Sequence, residues 1–270
     1  MKRFHLFRYV AIVLCVLLVV TGECDQARAS ATDTPQKEQA GLNAPYVPTP
    51  QKFVETMLDM ANVAASDYVI DLGSGDGRIV ITAAKRGATA LGIEYNPDLV
   101  EFARHAAAKE RVSARATFEK ADIFESDFSK ATVLTLFLGQ NLNLALRPKI
   151  LGLKPGTRVV SYRFGMGDWK PDRTRRLEDD STGWSATYLW IVPAKVDGTW
   201  QLDNGQITFT QAFQNITGKL TIREKKLELS GKLAGDRISF TAGGREYTGT
   251  VSGNTIAGTH GGGDAWKATR

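Results

Sequence analysis

The sequence predicts a two-part chain: a doubly wound α/β sheet over residues 45–194, then a small all-β barrel or sandwich over residues 198–270. Three observations carry that prediction. Between Tyr46 and Pro193, apolar runs of strand length alternate with segments of helical period, the pattern of a largely parallel sheet wrapped by helices. Early in that stretch a short buried strand breaks into three close glycines and then a helix, the first unit of a doubly wound fold. After Asp197 the texture changes: thirteen of the 26 glycines fall in residues 198–270, between alternating segments such as Gln206-Ile-Thr-Phe-Thr and Lys226-Leu-Glu-Leu-Ser.

The N-terminus comes first. Lys2, Arg3 and Arg8 precede an apolar run from Tyr9 to Val20, and Ala27-Arg28-Ala29 supplies a small-x-small cleavage pattern. Residues 1–29 therefore read as an export signal cut after Ala29, which places the protein in the periplasm. The alternative is an uncleaved anchor in the inner membrane, with the body still outside because basic flanks stay inside. Glu23 stands where a small residue precedes a lipidated cysteine, so Cys24 does not read as a lipid site. Residues 30–44 are small and polar without apolar period, and read as a linker.

Both cysteines, Cys15 and Cys24, lie upstream of that cut. The mature chain is then expected to lack disulfides, a thiol nucleophile and a cysteine zinc site. His5, His105 and His260 are too scattered for a histidine metal cluster, so no metal is expected. The formal charge of +5 includes four positive and two negative charges of residues 1–29, leaving +3. That balance is too mild to argue for nucleic acid.

The first strand and loop read Asp67-Tyr-Val-Ile-Asp71-Leu-Gly73-Ser74-Gly75-Asp-Gly77-Arg, leading into a helix from Arg78 to about Arg86. Glycines let the backbone pass beneath a ligand where a Cβ would collide. The spacing is G-x-G-x-G, unlike the G-x-G-x-x-G of dinucleotide sites, and Asp71 sets a carboxylate at the strand tip. A pyrophosphate would be repelled there, whereas a sulfonium amino acid with a free ammonium is attracted. The cofactor read from these residues is S-adenosylmethionine (SAM).

Ala88 to Glu94 reads as the second strand, and Glu94 lies 21 residues after Gly73, where an acid holds ribose hydroxyls. Tyr95 follows it. Ala116 to Glu119 reads as the third strand; Asp122 beyond it can accept the adenine amino group, while Ile123 or Phe124 covers a ring face. The fourth strand, Thr132 to Phe137, ends at Leu138-Gly139-Gln140-Asn141. Gln140 and Asn141 either orient an amine through their side-chain carbonyls or cap a helix running from about Leu142 to Leu153. Tyr162, Phe164 and Trp169 follow the fifth strand and either line the acceptor mouth or pack beneath the strand Tyr188 to Val192.

With three acidic strand ends, the chain resembles the class I, seven-strand SAM-dependent methyltransferases. Pro45-Tyr-Val-Pro-Thr-Pro50, Asp71-Leu-Gly-Ser-Gly-Asp-Gly-Arg-Ile-Val80 and Leu151-Gly-Leu-Lys-Pro-Gly-Thr-Arg-Val-Val-Ser161 resemble, more narrowly, bacterial relatives of the ATP synthase c-subunit lysine methyltransferases. The resemblance implies a Rossmann-like sheet, methyl transfer to a protein side-chain amine, and Tyr46 and Thr49 packed over the methionine end of SAM. The Asn/Asp-Pro-Pro-aromatic loop used on planar amide or adenine nitrogens is absent after the fourth strand. A small molecule or lipid as acceptor stays open, as does a non-catalytic SAM-binding envelope protein that docks through its β domain.

That β domain carries a weak repeat. Gly231-Lys-Leu-Ala-Gly235-Asp-Arg-Ile238 matches Gly249-Thr-Val-Ser-Gly253-Asn-Thr-Ile256, and each copy reads as a hairpin whose Gly-Asp or Gly-Asn tolerates positive φ. The module either docks to a membrane or envelope component or is a meander with no binding role.

Overall fold

The structure, a computed structural model, describes residues 46–176 and 186–270. The export signal and linker, Pro45, Cys15, Cys24 and His5 lie outside the described residues. Among the described residues no helix is long and apolar enough to cross a membrane.

Valine- and isoleucine-rich runs form strands β1 (Tyr68–Leu72), β2 (Thr89–Glu94), β3 (Ala116–Lys120), β4 (Val133–Leu136) and β5 (Arg158–Tyr162). They lie parallel, and β6 (Arg173–Arg176) and β7 (Ala186–Ile191) complete a sheet of order β3-β2-β1-β4-β5-β7-β6. β7 runs against the other six strands, pairing antiparallel with both β5 and β6. The chain steps outward from β1 in one direction and then restarts at β4 in the other. A crevice opens at that switch point, beyond the carboxyl ends of β1 and β4.

The period of two divides each strand between two cores. Val69, Val133 and Val160 face helices α1 (Gln51–Met60), α2 (Arg78–Lys85) and α3 (Pro97–Lys109), meeting Met57, Val80 and Ala103. Ile70, Leu72, Leu134 and Val159 face α4 (Gln140–Ile150), meeting Leu146 and Ile150. The start of α3 follows its sequence signals: Asn96 accepts the Asp98 N–H at 2.9 Å and Pro97 occupies the first turn. The fourth helix begins two residues before the expected Leu142. Gly139, at φ +105°, releases the chain from β4 and takes the cap position, so neither Gln140 nor Asn141 caps it.

The C-terminal strands β8 (Gly198–Leu202), β9 (Gly205–Ala212), β10 (Asn215–Ile222), β11 (Lys225–Ala234), β12 (Arg237–Ala242), β13 (Arg245–Ser252), β14 (Thr255–His260) and β15 (Asp264–Thr269) form a closed antiparallel barrel. Of the two expected alternatives it is the barrel, closed by the Thr269–Gln201 pairing of β15 with β8. Trp200, Phe209, Phe240 and Trp266 fill its interior from alternating positions. So small a barrel forces neighbouring backbones together. A Cβ on Gly218 would stand 1.9 Å from the Thr208 carbonyl oxygen, and one on Gly258 1.8 Å from that of Thr248. The repeated Gly235 and Gly253 hold positive φ at the β11–β12 and β13–β14 turns.

The barrel meets the sheet at the end opposite the crevice. Gly235 approaches Gly156, just ahead of β5, and accepts a hydrogen bond from Ala194 N–H at 2.8 Å. The turn between β9 and β10 reaches further: Phe213 stacks on Trp169, with ring centroids 5.9 Å apart and planes 13° apart.

Candidate active site

At the switch point lies a cavity of about 250 Å³. Six chain segments wall it: the stretch 46–49, the glycine loop after β1 with the start of α2, the tip of β2, the turn after β3, the end of β4, and the first turn of α4. No barrel residue is among those lining it.

The glycines divide by task. Gly73 and Gly75 line the cavity at φ +73° and +52°; a Cβ on either would stand 2.5 Å from Leu138 or Tyr46 respectively. Side chains and loop thus pack where only hydrogen leaves room. Gly77 sits outside the lining. It caps α2 at φ +79°, and a Cβ there would meet the Phe118 ring at 2.6 Å, so its role is close helix–strand packing. Between them, Ser74 lines the cavity with a buried hydroxyl that has no hydrogen-bond partner.

Asp71, fully buried at the end of β1, accepts the Thr135 hydroxyl proton at 2.6 Å. Burial pushes its carboxyl up to about 7, against the Thr135 hydrogen bond and helped by the charges of Glu94 and Asp76. Glu94 is 4% exposed and receives two backbone N–H groups, from Gly75 and Asn96, each at 2.9 Å. Its carboxylate therefore holds the glycine loop to the tip of β2 while facing the cavity. Asp122 is exposed, and its Oδ1 accepts the Phe124 N–H at 2.8 Å. That tight turn brings Ile123 and Phe124 into the lining, opposite the half-exposed Tyr95.

Sequence reasoning passed over Asp76 and Arg78. Arg78 grips Asp76 through Nε at 2.9 Å and 3.0 Å, and its Nη1 donates to the Thr49 carbonyl at 2.8 Å. A cation at the first turn of a helix opposes the helix dipole, and Asp76 offsets it. The pair fastens the stretch 46–49 over the glycine loop. The buried Tyr46 hydroxyl lies beside the pair without a well-directed hydrogen bond to either; burial, then the Asp76 charge, hold its proton more tightly than usual. The only sequence signal was the placement of Arg78 where α2 starts.

The residues expected to act on the acceptor fare differently. Gln140 and Asn141 are exposed on the first turn of α4, outside the lining. Tyr162 is buried between Phe53 (4.5 Å) and Phe137 (4.8 Å), and it is Phe137 that faces the cavity. Trp169 packs in the core against Trp190, the second of its two expected placements. Phe137, Leu138 and Leu142 form the apolar side of the cavity; the sequence pattern points instead to the polar pair Gln140 and Asn141 beside them. Among the described residues no group of His, Cys, Asp or Glu is placed to hold a metal.

This donor set fits SAM: an acid for an ammonium, an acid at the β2 tip for ribose hydroxyls, an unpartnered buried hydroxyl, and a loop that a Cβ would obstruct. The family described as the ANTKMT methyltransferase domain matches residues 71–173. A protein-lysine N-methyltransferase of Saccharolobus islandicus is 44% identical over 153 residues, which are 56% of this chain and 94% of that protein. The chain belongs to this methyltransferase family. Like its relatives, this family member is a SAM-dependent methyltransferase. The human ATP synthase c-subunit lysine N-methyltransferase is 39% identical over 129 residues, so the chain spans about half (55%) of that relative. A solved structure from Salinibacter ruber, described as an RNA methyltransferase in complex with S-adenosyl-L-homocysteine, is 47% identical with a TM-score of 0.53. It covers 56% of this chain and 96% of its own.

Proposed function

We propose that this methyltransferase modifies a lysine side-chain amine of a protein. The observation that carries the reading is the apolar wall of Phe137, Leu138 and Leu142 on the side of the cavity away from Glu94. An ammonium entering there loses solvation, which lowers its pKa and favours the neutral, nucleophilic amine without a dedicated base. Phe137 offers a ring face to the residual cation. The names of the Saccharolobus and human relatives support the same acceptor.

SAM, when bound, supplies an electrophilic methyl group on a sulfonium. The chain's own part is to hold and align. Asp71 would ionise against the cofactor's ammonium, Glu94 would fix the ribose, Ile123 and Phe124 would cover the adenine, and the fastened stretch 46–49 would keep water from the methionine end. With SAM bound, the acceptor nitrogen's lone pair would form the new N–CH3 bond, and the S–CH3 electron pair would stay on sulfur. The extra proton then leaves the product amine to solvent.

An RNA acceptor is the second reading, favoured by the description of the Salinibacter relative and by Arg173, Arg175 and Arg176, all exposed on β6. Incubating purified protein and methyl-labelled SAM with an envelope extract separates the readings. Label on protein lysine supports the first; label confined to RNA, lipid or small molecules overturns it. The sequence pattern of residues 1–29 further supports a site of action outside the cytoplasm; recovery of the full-length, uncut protein in the cytoplasmic fraction contradicts it.

A further inference from the structure

The barrel touches no part of the cofactor cavity, and the Saccharolobus relative, matched over 94% of its length, has no room for one. Yet the barrel is joined to the catalytic domain by a specific device. The turn between β9 and β10 consists of Phe213 and Gln214. Phe213 holds φ +57°, a left-handed conformation that strains a residue with a Cβ and that glycine or asparagine would adopt more easily. The aromatic ring makes two contacts there. It stacks on Trp169 and lies 5.4 Å from the guanidinium carbon of Arg147. Gln214, 6% exposed, donates from Nε2 to the Lys170 carbonyl at 2.8 Å.

All of these partners belong to one segment and the helix beside it. Residues 163–170 leave the carboxyl end of β5, next to the cavity, and run along α4 towards the barrel. Asn143, fully buried, donates to the Phe164 carbonyl at 3.1 Å and to the Ser161 hydroxyl at 3.2 Å. One turn later Arg147 donates to the Met166 carbonyl at 2.8 Å and pairs with Asp168. At the near end Phe164 stacks on Phe137, with centroids 6.0 Å apart, and Phe137 lines the cavity. Contacts thus lead from Phe213 to Trp169 and Arg147, from Arg147 to the Met166 carbonyl, and through Asn143 of the same helix to Phe164 and Phe137. The cofactor-binding carboxylates lie outside this chain of contacts.

We propose that Phe213 is a positioning residue: the barrel acts on methyl transfer by bracing segment 163–170, and through it the acceptor wall at Phe137, leaving cofactor binding alone. The acceptor half of the test rests on the amine reading above; the exchange half does not.

The test uses the full chain with Phe213→Ala, Phe213→Leu and Phe213→Tyr, each first checked for native circular dichroism. Two probes are compared by calorimetry. One is S-adenosyl-L-homocysteine; the other is its analogue in which nitrogen replaces sulfur and carries an alkylamine arm that enters the acceptor side. Amide hydrogen exchange is followed in parallel. Loss of the stacked ring and its cation contact is expected to erode the analogue's advantage over the homocysteine compound roughly tenfold in Phe213→Ala. Affinity for the homocysteine compound itself stays within about twofold, and amides of 163–170 exchange roughly tenfold faster. Phe213→Leu falls between, and Phe213→Tyr restores the wild-type values. An unchanged advantage with unchanged exchange overturns the proposal, and so does an equal weakening of both probes, which would mark general loosening. If the analogue shows no advantage even on the wild type, the amine reading fails, and faster or unchanged exchange of 163–170 still decides for or against the brace.

Discussion

The Gly75 N–H donates to Glu94 Oε2 at 2.9 Å, tying the loop after β1 to the tip of β2 across the floor of the cavity. The same carboxylate accepts Asn96 N–H through its other oxygen. Glu94 is therefore both a wall of the site and the clip that shapes the glycine loop. Glu94→Ala is expected to weaken SAM binding by about 1–3 kcal/mol through lost charge-assisted hydrogen bonds. Glu94→Gln, which keeps one carbonyl acceptor, loses less. Calorimetric affinity unchanged in both variants removes Glu94 from the site.

Asp71 makes cofactor affinity depend on pH. Its folded carboxyl titrates at about 7, well above the 3.8 of an unburied aspartate. Between those values the unfolded chain holds fewer protons than the folded one, so stability of the free protein falls as pH rises through the window and levels off above it. SAM affinity runs the other way, because the ammonium needs the ionised form, and gains several-fold from about pH 6 to about pH 7.5, above which the cofactor's own α-ammonium begins to lose its proton. Asp71→Asn flattens both profiles. A wild-type affinity that is level across this range removes the ammonium partner from Asp71.

Arg78 reaches Asp76 and the Thr49 carbonyl at once because a guanidinium is a fork; an ammonium is a point. Arg78→Lys is expected to loosen the stretch 46–49 and speed SAM dissociation about tenfold, with a smaller effect on association. A chase of bound methyl-labelled SAM reads this directly, and an unaltered off-rate disposes of the fastening role.

The turn between β10 and β11 places Arg223 and Glu224 at φ +46° and +70°. Two-residue hairpin turns with both residues in this region favour Asn-Gly. Replacing the pair by Asn-Gly is expected to stabilise the barrel by about 1 kcal/mol and raise its thermal midpoint by several degrees. A lower midpoint would show that the side chains contribute contacts outweighing their backbone strain.

Much of the cofactor side was legible in sequence because it is local. A strand, three glycines and a helix start within twelve residues, and the acids at Asp71, Glu94 and Asp122 each end or follow a strand, so topology gathers them whenever the strands lie parallel. The acceptor side was harder. Gln140 and Asn141 drew attention as polar residues after a strand, yet helix phase leaves them exposed while Leu142 turns inward. Tyr162 was placed at the right strand end, but Phe137 stands between it and the cavity.

Taken alone, the sequence determined the doubly wound sheet, the glycine loop with its carboxylates, and an all-β module after it, since each follows from short-range periodicity and turn chemistry. Only the tertiary structure decided barrel over sandwich, the grip of Arg78 on the Thr49 carbonyl, and the reach of Phe213 to Trp169. Those depend on strand closure and on side chains 29 and 44 residues apart meeting in space, and no local pattern encodes such a distance.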